Sequence, residues 1–171
     1  MAKTMKVILH LAISADGFIA KTNGDSDWVA PADEILFTNR IQEAGCIVVG
    51  KKTFEQYQGA IYPVEGVFNI VLTRNQDATF RGATVATSAQ EAIKRATNEG
   101  CSGVLIAGGG HTSAAFLEAN LIDEIYFSVY PLIFGEGIKP FEGQPFNKKL
   151  ELLGTKNLGD GLTELHYKVV K

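Results

Sequence analysis

The chain alternates short runs of apolar, often β-branched residues with polar and glycine-containing segments. Such runs are typical of strands, because branched side chains pack well on a buried or half-buried pleated surface. The predicted strands cover residues 7–13, 46–49, 69–73, 83–86, 103–107, 124–130 and 162–170.

Helical patterns fall between several of these strands. Residues 31–42 repeat apolar positions at helical spacing behind Pro31, a residue that suits the first turn of a helix. Residues 88–98 begin with Ser88 and carry Glu91 three positions later, which is an N-terminal capping pattern. Two shorter helices are predicted at 53–57 and 113–119.

This order of elements predicts an α/β fold with a mostly parallel central sheet flanked by helices. The strand that closes the chain after residue 150 adds an antiparallel C-terminal edge. A length of 171 residues, of which 46% are hydrophobic, suits one domain spanning 1–171 with a substantial core.

Composition and charge exclude several classes of partner. The apolar runs fall far short of the roughly 20 residues that cross a bilayer, and no leader-like segment precedes the first strand, so we expect a cytoplasmic protein without a membrane partner. A net charge of −3 with scattered basic residues gives no footprint for nucleic acid. The histidines and cysteines lack metal-ligand spacing, so we predict no metal.

A candidate phosphate site follows strand 103–107, where Gly108, Gly109 and Gly110 lead into a helix. Glycine lets the backbone adopt positive φ and approach a ligand, and the helix start offers unpaired N–H groups. The run is not a Rossmann turn, because the G-x-G-x-x-G spacing and its acidic partner are absent. Segment 45–51 has P-loop spacing, but Lys52 stands where serine or threonine is required.

Two more strand ends carry residues suited to phosphate. Lys51, Lys52 and Thr53 follow one strand, and Thr73 and Arg74 follow the next. Ligands of open α/β sheets bind at the carboxyl ends of strands, so the three junctions could meet in one crevice and hold a phosphorylated dinucleotide. Taken singly, each of these residues fits an ordinary exposed loop better than a phosphate site.

An ordered series of motifs resembles the dihydrofolate reductase-like superfamily, especially the branch that includes the reductase domain of riboflavin biosynthesis. The resemblance covers nearly the whole chain, from Lys6 to Lys171. Its motifs are ISADGFIA at 13–20, WVAPAD at 28–33, VGKKT at 49–53, the triple glycine, LIDEI at 121–125 and PLIFGEG at 131–137. The resemblance implies a dihydrofolate reductase-like three-layer fold and, in the riboflavin branch, a homodimer.

The resemblance also implies an NADPH site and, between Gly108 and Gly109, a cis peptide bond. The implied cofactor-binding residues are Ala12 and Ile19 beside the nicotinamide, Gly50, Lys51, Lys52 and Thr53 at the pyrophosphate and 2′-phosphate, Leu72, Thr73 and Arg74 around the adenosine, and Ala107, Gly109, Gly110, His111 and Thr112 at the diphosphate.

The implied catalytic residues are Asp33, which would assist protonation of the substrate, and Ser128, whose hydroxyl would support that carboxylate. Trp28, Phe37 and Tyr57 would complete the substrate pocket with them. The pattern itself places Asp33 in the first turn of a helix and Phe37 one turn later on the same face. An apolar pocket would raise the pKa of Asp33. The alternative is that Asp33 merely stabilises the helix N-terminus.

Departures from the family pattern leave the substrate open. Dihydrofolate reductases hold the glutamate tail of folate with an arginine, yet no arginine or lysine occurs between Phe54 and Leu72. Segment 131–137 favours the riboflavin branch, but the zinc signature of its deaminase partner is missing. We predict an NADPH-dependent reductase of a small heterocyclic, pterin- or dihydrofolate-like substrate. The alternatives are a riboflavin-pathway-like reductase of a ribosylated aminopyrimidine and a noncatalytic NADPH-binding regulatory protein.

Strand 125–132 and the loop after it are a candidate surface for a second copy.

Overall fold

The computed structural model describes residues 4–143, 145 and 147–171. Strands and helices alternate through its first two thirds, and two strands close the chain. The elements are β1 (Lys6–Ser14), α1 (Pro31–Ala44), β2 (Cys46–Gly50), α2 (Lys51–Gln56), β3 (Phe68–Leu72), β4 (Thr84–Ala86), α3 (Ala89–Asn98), β5 (Gly103–Ile106), α4 (Gly110–Glu118), β6 (Glu124–Tyr130), β7 (Leu150–Gly159) and β8 (Leu162–Val169).

All eight strands form one sheet in the order β4-β3-β2-β5-β1-β6-β8-β7. The first six of these run parallel, whereas β8 pairs antiparallel with β6 and β7 pairs antiparallel with β8. The predicted fold class, a mostly parallel sheet with an antiparallel C-terminal edge, is therefore confirmed. The pattern missed β7 as a separate strand, because its residues are mostly exposed and two register shifts interrupt its pairing.

Helices cover both faces of the sheet. One buried cluster includes Phe116 on α4 and three alanines of α3, and the other includes Ile41 on α1 and Phe54 on α2. Strand β2 contributes Val48 to the first cluster and Val49 to the second, so it is buried on both faces as parallel strands usually are. In the described part of the chain, no helix combines the length and apolar character needed to cross a membrane.

The helix starts differ from the prediction in a way that affects the phosphate-site residues. Helix α2 begins at Lys51 and α4 begins at Gly110, two and three residues earlier than the pattern predicts. Glycines in extended conformation, Gly50 and Gly109, occupy the two N-cap positions. Lys51 and Lys52 thus belong to the first turn of α2, and His111 and Thr112 to the first turn of α4. The predicted Ser88 cap of α3 is present, since its Oγ accepts a hydrogen bond from the Glu91 amide at 3.1 Å.

Candidate active site

The three predicted strand ends meet at one edge of the sheet. Gly50 at the end of β2 pairs in register with Leu72 at the end of β3. On the other side, the Gly50 amide donates to the Gly108 carbonyl at 2.8 Å, which joins it to the glycine run after β5. The convergence predicted from the sequence is therefore present, and Thr73 follows directly, with its amide bonded to Ala86 at 3.0 Å.

The first turns of α2 and α4 face each other at this edge. A Cβ atom on Gly50 would lie 2.6 Å from Oγ1 of Thr112, and one on Gly109 would lie 3.4 Å from Oγ1 of Thr53. Neither helix carries a side-chain cap, so among the described residues no side chain occupies the N–H groups of either first turn. Two facing helix starts of this kind suit an anion that spans both, such as a pyrophosphate.

Other predicted cofactor residues lie around the facing first turns of α2 and α4, which we call the cradle. Gly108 has a φ of +94°, which only glycine adopts readily, and the Gly108–Gly109 peptide bond is cis, as the resemblance implies. Lys51, Lys52 and Arg74 have exposed side chains. His111 is also exposed and lies 3.2 Å from a carboxylate oxygen of Glu142.

A buried carboxylate lies one strand further along the sheet. Asp33, in the first turn of α1, is only 2% exposed. Its Oδ1 accepts hydrogen bonds from Ser128 Oγ at 2.6 Å and from His10 Nε2 at 2.8 Å, and its Oδ2 accepts from the Tyr130 hydroxyl at 3.0 Å. The predicted contact between Asp33 and Ser128 therefore exists, within a larger cluster that the sequence did not indicate.

These donors reverse the predicted shift of the Asp33 pKa. Burial alone raises the pKa, as expected for a desolvated carboxylate. His10 lowers it through its hydrogen bond and its electrostatic attraction, and Ser128 and Tyr130 lower it through their hydrogen bonds, so the pKa of Asp33 lies below its ordinary value. The expectation of a raised pKa was wrong because the pocket is apolar only in part, and Asp33 is an anion at neutral pH.

A second layer of polar side chains supports His10. Its Nδ1 lies 3.0 Å from Nη1 of Arg40, and the same guanidinium makes two hydrogen bonds of 2.7 and 2.8 Å to the carboxylate of Glu164. The guanidinium also lies 3.6 Å above the ring of Tyr126. Sequence reasoning missed this layer. The available signal was a histidine within the otherwise apolar strand VILHLAI.

Aromatic side chains line the other side of the carboxylate. Trp28 packs edge-on against Tyr130 at 4.9 Å and against Phe134 at 5.4 Å, and Phe37 lies edge-on to His10 at 5.3 Å. The buried Nε1 of Trp28 has no hydrogen-bond partner among the described residues. This N–H group is a donor without an acceptor next to the carboxylate cluster, where a bound molecule could supply one.

Tyr57 has a different place from the rest of the predicted pocket. Its hydroxyl forms a 2.5 Å hydrogen bond with Ser26 Oγ, and the neighbouring Gln56 donates to the Gly24 carbonyl at 2.9 Å. Both contacts tie the loop between β1 and α1 to the end of α2. Tyr57 therefore holds this loop, which also carries Trp28.

Two predicted nicotinamide neighbours, Ala12 and Ile19, lie at or beyond the end of β1. Ala12 pairs in register with Ser128. A Cβ atom on Gly108 would lie 3.2 Å from Cδ2 of Leu11, the residue before Ala12. Strand β1 thus lies between β5, which leads into the glycine run, and β6, and it contributes His10 to the carboxylate cluster. Ile19 packs against the core, and its amide donates to the Ile138 carbonyl at 2.9 Å. Within the described ranges, no three His, Cys, Asp or Glu side chains are grouped as metal ligands.

The fold is that of dihydrofolate reductase-like proteins, and the comparison with protein families identifies the family. Residues 5–163 match the RibD C-terminal domain, and the chain belongs to that family. The resemblance stated from the motifs is confirmed.

Individual relatives extend over most of the chain. It is 29% identical to the uncharacterized protein YwjB of Bacillus subtilis strain 168, over 95% of this chain and 97% of the relative. Dihydrofolate reductase from Enterococcus faecalis, solved with NADP(H) and RAB-propyl, has a TM-score of 0.77 at 22% identity, with 97% of both chains covered. A Thermotoga maritima diaminohydroxyphosphoribosylaminopyrimidine deaminase/5-amino-6-(5-phosphoribosylamino)uracil reductase has a TM-score of 0.74 at 18% identity, covering 97% of this chain and 57% of that one.

Proposed function

We propose that the protein is an NADPH-dependent reductase of a small heterocyclic, pterin- or dihydrofolate-like molecule. The observation that carries the proposal is the buried Asp33 carboxylate, placed one strand away from an uncapped pair of helix starts. The first feature suits a substrate that carries N–H groups or gains a proton, and the second suits a dinucleotide phosphate.

The residues at the strand ends fit NADPH. The N–H groups of the α2 and α4 first turns would hold the pyrophosphate, and the exposed cations Lys51, Lys52 and Arg74 would pair with the remaining phosphate charge. Ala12 lies beside Ser128, so the small side chain leaves room between cofactor and carboxylate. When bound, NADPH supplies the hydride.

Asp33 acts as a fixed anion in this proposal. A carboxylate has about four acceptor positions, and His10, Ser128 and Tyr130 use three of them. One position on Oδ2 remains for a substrate N–H group. The negative charge stabilises a substrate that takes up a proton as it receives hydride, and the proton itself comes from water. Trp28 Nε1 offers a second hydrogen bond to the same molecule.

Cofactor oxidation against a substrate panel tests this function. The panel contains dihydrofolate, dihydropterins and ribosylated aminopyrimidines, and the loss of the reduced-nicotinamide absorbance is followed. Asp33→Asn keeps the side-chain shape but removes the charge, so we expect kcat/KM to fall on the order of a hundredfold. The matched control is Asp27→Asn, whose carboxylate is 62% exposed in the same region. Equal rates for Asp33→Asn and the parent would refute the role of Asp33, and binding without oxidation of NADPH would indicate a regulatory protein.

A riboflavin-pathway-like reductase is the second candidate, because the chain belongs to the RibD C-terminal domain family. Its substrate carries a ribose phosphate, which needs cations near the substrate as well as the cofactor. Turnover of the ribosylated aminopyrimidine alone, with inhibition by inorganic phosphate at constant NADPH occupancy, would select it over the pterin-like substrate.

A homodimer is also part of the proposal. Ile133, which is 79% exposed, follows β6 in the segment predicted to contact a second copy, and its exposed apolar side chain suits such a contact. Sedimentation showing only monomer would remove this part.

A further inference from the structure

The contacts of Arg40 determine which nitrogen of His10 carries the proton. A guanidinium only donates hydrogen bonds, so Nδ1 of His10, 3.0 Å from Arg40 Nη1, must accept and carries no proton. The two N–H groups of Nη1 then serve one acceptor each, namely His10 Nδ1 and an oxygen of Glu164 at 2.7 Å. The ring proton is therefore on Nε2, which faces Asp33 Oδ1 at 2.8 Å.

Several contacts keep the guanidinium in this position. Nη2 bonds the second oxygen of Glu164 at 2.8 Å, which makes the pair bidentate, and Glu164 is itself 5% exposed. The ring of Tyr126 lies 3.6 Å beneath the guanidinium carbon. A planar group held on three sides cannot turn away from His10 without losing several contacts together.

We propose that Arg40, anchored by Glu164, fixes the Nε2–H tautomer of His10 and thereby orients the Asp33 carboxylate for the substrate. Arg40, Glu164 and His10 are positioning residues, because they act through Asp33. The tautomer follows from the contacts alone, whereas its effect on turnover rests on the proposed function.

The consequence concerns Oδ2 of Asp33. His10 and Ser128 both bond Oδ1, so they fix the carboxylate plane and leave Oδ2 for Tyr130 and the substrate. Without Arg40, the proton could move to Nδ1, and the Nε2 lone pair would then face the carboxylate. Asp33 would lose a donor that lowers its pKa, so its pKa would rise.

Of the charged and titratable groups near His10, Asp33 also favours a proton on Nε2, but it does not keep a proton off Nδ1. From α1 the ring meets Asp33 and Arg40, and from β6 it meets Tyr126, tilted at 6.4 Å, with Ser128 Oγ 3.5 Å from Nε2. Glu164 on β8 reaches it only through Arg40. Among these contacts, only Arg40 donates to Nδ1.

The test is a histidine tautomer measurement by long-range ¹⁵N–¹H NMR on the whole protein. Signals are assigned with His111→Gln and His166→Gln, each of which removes one of the other two histidines. We expect His10 to show a protonated Nε2 and a bare Nδ1. A proton on Nδ1, or a mixture of tautomers, would overturn the proposal, and this result needs no variant of the network.

Arg40→Met tests the consequence, with the exposed Arg81→Met as the matched control. We expect a second His10 tautomer in Arg40→Met, a fall in kcat/KM of roughly tenfold to a hundredfold, and an acid limb of the pH profile that moves to higher pH. Glu164→Gln, which weakens one anchor, should give the same changes to a smaller extent. A purely structural role would lower the unfolding temperature and leave the acid limb in place, which would also refute the proposal.

A failed function remains distinguishable from a failed inference. The ¹³C chemical shift of the Asp33 carboxyl group measures the protonation of Asp33 as pH changes, and this measurement needs no turnover. If no substrate is reduced but the tautomer and this titration behave as expected, the proposed function is wrong and the positioning role of Arg40 stands.

Discussion

Replacing Ser128 with alanine probes the most direct contact of the buried carboxylate. The matched control is Ser113→Ala, because both serines are fully buried and each donates one hydrogen bond. They differ in the acceptor: Ser128 bonds the Asp33 carboxylate at 2.6 Å, whereas Ser113 bonds the Gly109 carbonyl at 3.2 Å. Both variants remove a hydroxyl group of the same size from a fully buried position, so the comparison reduces the contribution of the void to the difference.

The two acceptors set the expected magnitudes. A hydrogen bond to a charged group contributes roughly 1.5–3 kcal/mol to the free energy of unfolding, and one between neutral groups about 0.5–1.5 kcal/mol. We therefore expect Ser128→Ala to lose about twice as much stability as Ser113→Ala near neutral pH. Urea unfolding followed by the fluorescence of Trp28, the single tryptophan, measures both.

The pH dependence separates charge from packing. The folded-state pKa of Asp33 is lowered, so its ionised form contributes stability above its unfolded pKa of about 3.9, and this contribution is lost as pH falls through the folded pKa. Ser128→Ala raises that folded pKa by removing a donor. Its stability deficit should thus be full at neutral pH and shrink as acid protonates Asp33, while the Ser113→Ala deficit stays constant. Equal losses of stability in the two variants, at neutral pH and at acid pH, would refute the assignment of Asp33 as a hydrogen-bonded anion.

Three further predictions concern the surroundings of the site. Gly50→Ala places a Cβ atom 2.6 Å from Thr112 Oγ1, so it should lower the free energy of unfolding in urea by about 1–3 kcal/mol and weaken NADPH binding. A second change, Thr112→Ala, should restore part of this stability. No restoration would mean that the crowding lies elsewhere. Phe54→Ala empties a site that is 0% exposed and should lower the free energy of unfolding by about 3–5 kcal/mol, so a loss below about 1 kcal/mol would contradict its core position. Tyr57→Phe removes the 2.5 Å hydrogen bond to Ser26 and should speed hydrogen exchange of the Ser26 amide. The free energy of unfolding should change by only about 0.5–1.5 kcal/mol. Unchanged exchange would show that other contacts hold the loop.

The amino-acid sequence was sufficient for the elements and for one edge of the site. Apolar, often β-branched runs predicted seven of the eight strands. The parallel strands inside the sheet follow this pattern most clearly, because both of their faces are buried and need apolar side chains. The glycines at 50 and 108–110 were visible in the sequence at predicted strand ends, although the close approaches they allow, such as that of Gly50 to Thr112, join segments distant in the chain. The sequence did not predict strand β7, because an exposed edge strand needs no continuous run of apolar residues.

Tertiary structure decided the state of Asp33. Its three donors, His10, Ser128 and Tyr130, lie 23, 95 and 97 positions away in the chain, and they meet only because β1 and β6 are adjacent in the sheet beneath α1. The sequence showed a carboxylate in a predicted apolar pocket and so favoured a raised pKa. Hydrogen bonds act over about 3 Å, so the direction of the shift depends on which side chains the sheet order brings within that distance. That order is a property of the folded chain, and no local pattern contains it.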